Sequence, residues 1–318
     1  MYDQFQRRIN YLRVSITDRC NLRCRYCRPP EGSGTAGSEA LSYEELLRIC
    51  RCAAALGVDR FKITGGEPLA RAGAAAFIGA LKKLPGVRQV TLTTNGSYFA
   101  ANLPQLLAAG LDGVNFSLDT VDAALYKELT GGELALALQG VKAAVRADLS
   151  CKLNCVPLAE RTPRELWDLL RFADSCGTPL RFIELMPLAC NQGLQGFAGA
   201  QVRALLAQAG VAWRRDGASY GNGPAVYYRA AGCGVPIGFI EPLHNKFCAA
   251  CNRVRLTSGG LLKGCLYQPA ALDMKKLLSD GADDAALQQA LRQAIYHKPA
   301  GHGFDARPAG FAMNEIGG

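Results

Sequence analysis

The sequence predicts an α/β fold: an incomplete TIM-like (βα)6 barrel over residues 1–200, followed by an α+β module over residues 201–318. Three observations carry this. Six short β-rich runs alternate with helical patterns before residue 200, helix-start signals fall between them, and beyond that point the alternation gives way to Gly- and Pro-richer stretches with short strands. The strand runs are, in order, "YLRVSIT", "RFKIT", "QVTLTT", "GVNFSLD", "CKLNCV" and "LRFIEL". After the first of them, Ser42 with Glu45 forms a capping box, and Gly57 closes that helix. Before the sixth, Thr162, Pro163 and Glu165 supply a cap, a first-turn proline and the answering carboxylate. Repeated βα units of this length call for a parallel sheet with right-handed crossovers, and six of them leave a barrel open at one side. A last helix is expected near residues 283–296. In such folds chemistry sits at the carboxyl ends of the strands, where the first cysteine-rich loop falls.

At 318 residues and 49% hydrophobic content the chain can fill a sizeable core, which excludes disordered and fibrous classes. A formal net charge of +9 favours an anionic partner. The opening "MYDQFQRRIN" has no apolar core of a signal peptide, and no stretch reaches the roughly 18 apolar residues of a membrane span. A reducing cytoplasmic setting is expected. There, thirteen cysteines bind metal or do redox chemistry more readily than they form structural disulfides.

In "DRCNLRCRYCRP", Cys20, Cys24 and Cys27 have the spacing C-x3-C-x2-C. Structural zinc asks for four ligands, and no fourth cysteine or histidine lies nearby. Three thiolates suit a 4Fe-4S cubane with one iron left open. The second strand ends in "KITGGEPL", where a glycine permits close backbone approach; alone, the pair Gly65-Gly66 would mark a turn. Together the two stretches resemble the radical S-adenosylmethionine (SAM) superfamily. That resemblance implies a cluster whose open iron chelates SAM and cleaves it reductively to a 5′-deoxyadenosyl radical, with Gly66 at the SAM site.

A second group, Cys248, Cys251 and Cys265, lies in "FCAACNRVRLTSGGLLKGCL". A zinc knuckle completed by His297 or His302 is the plainer alternative. The strand period places Arg253 and Arg255 on one face beside these thiols, a pair of guanidinium forks suited to phosphate.

The ordered set "TDRCNLRCRYC", "TGGEPL", "TTNG", "NFSLD", "RFIELMP", "GFIEP", "FCAACNRVRLT" and the terminal "GG" is similar to the GTP 3′,8-cyclase (molybdenum cofactor biosynthesis protein A) family over essentially the whole chain. The resemblance implies two 4Fe-4S clusters, one on Cys20, Cys24 and Cys27 beside SAM, the other on Cys248, Cys251 and Cys265 beside the guanine of GTP. It implies SAM contacts at Tyr26, Gly66, Ser117 and Met186, and GTP contacts at Arg13, Lys62, Thr93, Lys152, Arg253, Val254 and Arg255. The family usually has arginine where Lys62 stands, with lysine two positions earlier where this chain has Arg60; Arg28 replaces a usual methionine. Gly317 and Gly318 match a tail that enters the active site. The implied reaction removes hydrogen from the 3′-carbon of GTP and joins that carbon to C8, giving (8S)-3′,8-cyclo-7,8-dihydroguanosine 5′-triphosphate, the first step of molybdenum cofactor biosynthesis.

Implied partners are GTP, an external electron donor and the downstream cyclic pyranopterin monophosphate synthase; a homodimer is compatible with the sequence, and neither membrane nor nucleic acid is expected. A radical SAM peptide maturase with an auxiliary cluster is the alternative, but its seven-ligand cysteine pattern is missing here. A zinc module binding nucleic acid explains the charge yet not "GGEP". The histidines His244, His297 and His302 read as packing or surface groups, and most of the seven other cysteines as small buried hydrophobes.

Overall fold

The computed structural model describes residues 1–27, 40–304 and 312–317. Its strands are β1 (Tyr11–Ser15), β2 (Arg60–Thr64), β3 (Gln89–Thr94), β4 (Gly113–Ser117), β5 (Cys151–Cys155), β6 (Leu180–Ile183), β7 (Trp213–Asp216), β8 (Val226–Ala230), β9 (Ile237–Ile240), β10 (Arg253–Leu256), β11 (Leu261–Lys263) and β12 (Leu272–Asp273). Its helices are α1 (Tyr43–Ala55), α2 (Ala74–Lys82), α3 (Phe99–Ala108), α4 (Ala123–Thr130), α5 (Leu134–Arg146), α6 (Pro163–Ser175), α7 (Gly199–Gln208), α8 (Met274–Ser279), α9 (Asp284–Tyr296) and α10 (Met313–Ile316).

All the strands join one open sheet in the order β12-β11-β10-β1-β2-β3-β4-β5-β6-β9-β8-β7, so the barrel is incomplete. β1 to β6 run parallel in chain order, as the βα alternation requires. Strands past residue 200 extend both edges: β10 pairs parallel with β1, and β9 with β6. A six-stranded sheet would leave β1 and β6 with rows of unsatisfied backbone groups, and these later strands satisfy them.

Strand alternation separates the two faces. Leu12 and Val14, Phe61 and Ile63, Val90 and Leu92, Val114 and Phe116, and Val254 and Leu256 are buried beneath the helices. Aromatic contacts such as Phe99 against Phe116, with ring centres 4.9 Å apart, fill that layer. Both expected capping boxes form, at Ser42 with Glu45 and at Thr162 with Glu165. Helix α9 starts at the Asp283 cap and packs Leu287, Leu291 and Ile295 inward, while Arg48 of α1 holds Asp284 at 2.7 Å. Cys50, Cys52 and Cys155 lie in this core, and burial pushes the Cys50 thiol far up, so it stays neutral.

Candidate functional site

The opposite, concave face carries the polar residues of the same strands. Because β1 and β2 are in register, their ends are tied directly to the first cysteine loop: Ile16 N–H donates to the Thr64 carbonyl at 3.0 Å, Gly66 to Thr17 at 2.7 Å and Glu67 to Arg19 at 2.8 Å. A Cβ on Gly65 would lie 2.6 Å from the Thr17 carbonyl oxygen, and one on Gly66 2.4 Å from that of Arg19. The glycine pair therefore seats the cysteine loop against the end of β2.

Glu67 fastens the next strand to the same place. Its carboxylate, fully buried, accepts from Leu69 N–H at 3.0 Å, Thr94 hydroxyl at 2.8 Å and Asn95 N–H at 2.7 Å. Burial pushes its pKa up to about 7 against those hydrogen bonds. Asn95 in turn donates through Nδ2 to the Cys20 sulfur at 3.8 Å, and Leu22 N–H donates to that sulfur at 3.4 Å. On the loop's far side the Tyr26 hydroxyl donates to Asp119 at 2.7 Å, and Asp119 also accepts from Val156 N–H at 2.8 Å, pinning the loop to the ends of β4 and β5.

Cys20, Cys24 and Cys27 form no disulfide and are partly exposed. Burial pushes the Cys24 thiol well up, and Cys27, Asp119 and Cys20 add to the shift. Three such groups become thiolates together only around a positive centre. Among the described residues no three Cys, His, Asp or Glu side chains gather at single-ion range, whereas a cubane takes thiolates at separate corners. The loop thus fits a cluster by its donor set and by the Leu22 N–H and Asn95 amide aimed at the Cys20 sulfur.

Between this loop and the second cysteine group runs a band of cations. Arg13 of β1 is level with Arg255 of β10 and with Lys62 of β2, and Thr93 of β3 is level with Asn115 of β4 and Lys152 of β5. Burial lowers Lys62 well below its ordinary value, helped by Arg181, Arg13, Lys152 and Arg253. Burial likewise brings Arg13 down to about 10, with Arg253 and Arg181 contributing, and lowers Arg255 with help from Arg13 and Arg253. In this band burial and the neighbouring cations destabilise Arg13, Lys62 and Arg255 together, an arrangement that a polyanion would relieve. Arg181 belongs to it and was not singled out from the sequence; a lone charge between Leu180 and Phe182 in an otherwise apolar strand was the signal. Arg60 pairs with Asp59 at 3.4 Å, which leaves Lys62 as the β2 cation of the band. Val254 points the other way, 1% exposed in the core, so only its main chain is on offer to a ligand.

The second group sits at the other end of this band. Cys248 lies in a short turn before β10 and Cys265 just past β11, both toward the end where β1 begins. Four steps along β1, Tyr11 to Ser15, separate this level from the first loop, roughly 13 Å at the rise of a strand. Burial works to raise the Cys251 thiol, yet Lys298 and Arg253 bring it below its ordinary value. His302 binds the Pro242 carbonyl at 2.7 Å, His244 is in close contact with Glu184, and His297 ends α9 against Tyr296, so each histidine is engaged in packing or loop contacts.

The tail lies against the first cysteine loop and the ends of β1 and β2. Met313 N–H donates to the Cys27 carbonyl at 3.2 Å, Asn314 Nδ2 to the Asp18 carbonyl at 3.2 Å, and Arg255 to the Gly317 carbonyl at 3.2 Å. Gly317 has φ of +71°, and a Cβ there would fall 2.4 Å from the Thr64 hydroxyl and 2.8 Å from Ser15 Cβ. Gly318 and Arg28 lie outside the described residues. Ser117 ends β4 on the concave side, level with Asn154, and Met186 packs beyond β6 beside Leu188, Leu266 and Ile316.

Residues 14–173 match the family described as the Radical SAM superfamily, and residues 178–304 match Molybdenum Cofactor Synthesis C. The chain is 39% identical to a GTP 3′,8-cyclase of Moorella thermoacetica over 100% of both chains. It is 40% identical to a GTP 3′,8-cyclase of Pseudomonas putida, with 96% of this chain and 93% of that one covered. Among solved structures, Streptococcus suis SuiB bound to precursor peptide SuiA superposes with a TM-score of 0.66 at 17% identity, over 96% of this chain and 75% of that one, a likeness of fold alone.

Proposed function

The chain belongs to the GTP 3′,8-cyclase family of radical SAM enzymes, and from that premise we propose how its own residues carry out the first step of molybdenum cofactor biosynthesis on GTP. The observation that carries the reading is the buried cation band lying between two three-cysteine groups. Cys20, Cys24 and Cys27 would hold the SAM-binding cluster, with Tyr26, Gly66, Ser117 and Met186 around SAM; Cys248, Cys251 and Cys265 would hold the second. When bound, the first cluster and SAM would supply the radical chemistry at the GTP ribose, and Cys248, Cys251 and Cys265 would hold the second cluster beside the base.

The chain's share is placement. Arg13, Lys62, Lys152, Arg253 and Arg255 hold the triphosphate along the band, where phosphate oxygens offset the burial and mutual repulsion that lower Arg13, Lys62, Lys152 and Arg255. Thr93 is placed to donate from β3, level with Lys152 and two residues further along than Lys62, whose partner on β3 is Thr91. With the phosphates held there, the ribose faces the first loop and the base faces the second group, so the reacting carbons meet without a search. The tail fills the gap beside Ser15 and Thr64 and keeps water from the radical.

An external electron donor and a downstream synthase that consumes the cyclised nucleotide complete the scheme. The thiol-rich sites suit reducing cytoplasm, and no helix of the described residues is long and apolar enough to cross a membrane. We assign the barrel to residues 1–200 and the substrate-side module to 201–318. The peptide maturase reading is not favoured, since the likeness to SuiB reaches only 17% identity. Anaerobic reconstitution with iron and sulfide, then turnover with GTP, SAM and a reductant, should yield the 3′,8-cyclised triphosphate together with 5′-deoxyadenosine. Formation of 5′-deoxyadenosine without any cyclised GTP would defeat the reading.

A further inference from the structure

Lys298 is 2% exposed, just past the end of α9, and its backbone is locked from both sides. Its N–H donates to the Ile295 carbonyl at 3.2 Å, and its carbonyl accepts from Gln4 at 3.3 Å and Arg7 at 3.4 Å. Arg7, itself buried and ion-paired with Asp3 at 2.6 Å, also binds the carbonyls of Cys248 and Ala300 at 2.9 Å and of Pro299 at 2.6 Å. One guanidinium therefore fixes the first ligand of the second cysteine group and the segment that carries the lysine. The Lys298 ammonium donates to the Gly264 carbonyl, one residue before Cys265, and to the Cys251 thiol. Gly264 packs tightly enough that a Cβ on it would sit 3.2 Å from the Pro299 ring.

Among the described residues no carboxylate pairs with this ammonium. A buried cation without a counter-charge is costly. Three thiolates around a 4Fe-4S core are net anionic. We propose that Lys298 is a positioning residue of the second cysteine group, the fixed counter-ion of the cluster held there, holding the Cys251 and Cys265 ligands together and favouring the reduced state of that cluster. This rests on reading Cys248, Cys251 and Cys265 as cluster ligands. Reduction adds negative charge beside a cation that cannot move away, so removal of the cation disfavours it.

The test uses the full chain with Cys20→Ala, Cys24→Ala and Cys27→Ala, so that the second cluster alone reports, and follows an EPR-monitored redox titration. Against that background Lys298→Met should disfavour the reduced cluster about tenfold, a shift of about 59 mV to more negative potential for a one-electron couple. Lys298→Arg, which keeps the charge, should return most of that shift. A Lys298→Met protein with its full iron content and an unchanged potential overturns the proposal. If Lys298→Met holds no cluster, retention by Lys298→Arg but not by Lys298→Gln supports it, and retention by neither, or by both with one potential, overturns it. Absence of iron while Lys298 is intact would instead overturn the cluster reading, and the proposal with it.

Discussion

The two cysteine groups have the same number of thiols and opposite surroundings. The first is framed by neutral backbone donors, a tyrosine and two buried carboxyls, Glu67 and Asp119, and its Cys24 thiol is pushed up. The second is framed by Arg7, Lys298 and Arg253, and its Cys251 thiol is drawn down. Cluster potential follows net charge and hydrogen bonding to sulfur. The first surroundings make an added electron costly to hold, which suits a group that passes it on; the second make an anionic neighbour welcome, which suits a group facing a nucleotide. The cation band between them would give one polyanion access to both environments at once.

The harshest way to break this comparison is to remove one group. Replacing Cys24 with alanine should abolish reductive SAM cleavage and lower iron from about eight to about four per chain, since a cubane holds four irons and only the second group remains intact. GTP binding should persist. Unchanged 5′-deoxyadenosine formation would sink the assignment of the first group.

The tail is the next handle, because it touches both sides: Cys27 and Asp18 through Met313 and Asn314, and Arg255 through Gly317. Deleting Gly317 and Gly318 should leave iron content and SAM binding near normal while cutting cyclised product about a hundredfold, the size expected when reacting atoms lose their alignment. Wild-type yield from the truncated chain, measured anaerobically, would remove the tail from the site. A smaller effect is expected from the band itself. Replacing Arg253 and Arg255 together by alanine should weaken GTP binding between about tenfold and a hundredfold, roughly one charged hydrogen bond's worth because Arg13, Lys62, Lys152 and Arg181 remain. SAM affinity should hold, and equal weakening of both ligands by calorimetry would erase the contrast between the two ends.

Much of this arrangement was legible in local sequence. Periodicity placed β1 to β6, cap chemistry placed the starts of α1 and α6, and cysteine spacing marked both groups. What local sequence does not carry is pairing over distance. That β10 lies beside β1 depends on backbone edges more than two hundred residues apart, so the route by which Arg255 comes level with Arg13 is absent from any window. The glycine pair was read as an approach to a ligand, and the structure gives it an additional reason, the backbone of residues 17–19 lying against it. Lys298 and Arg7 gave no signal because a lysine or arginine in a polar stretch looks like a solvated surface until burial is known.

The smallest expected effect concerns Glu67 and sharpens the contrast by touching the frame of the first group alone. Its pKa is raised from 4.5 in the unfolded chain to about 7 in the fold, so the folded state binds the proton more tightly. Stability from this group is therefore fully present below about pH 4.5 and is lost as pH rises through about 7, at most about 3 kcal/mol in all. Glu67→Gln keeps one acceptor oxygen, enough for Leu69 and Thr94, which share an oxygen, but not for Asn95, which uses the other; that loss is the same at every pH, and the amide cannot titrate. Thermal unfolding of the metal-free chain, followed by circular dichroism from pH 4.5 to 7.5, should show the wild type losing several degrees relative to Glu67→Gln across that window. Parallel profiles for the two proteins would mean that the carboxyl stays ionised inside the fold, and that its three donors hold the first cysteine loop by charge, as the cations do for the second.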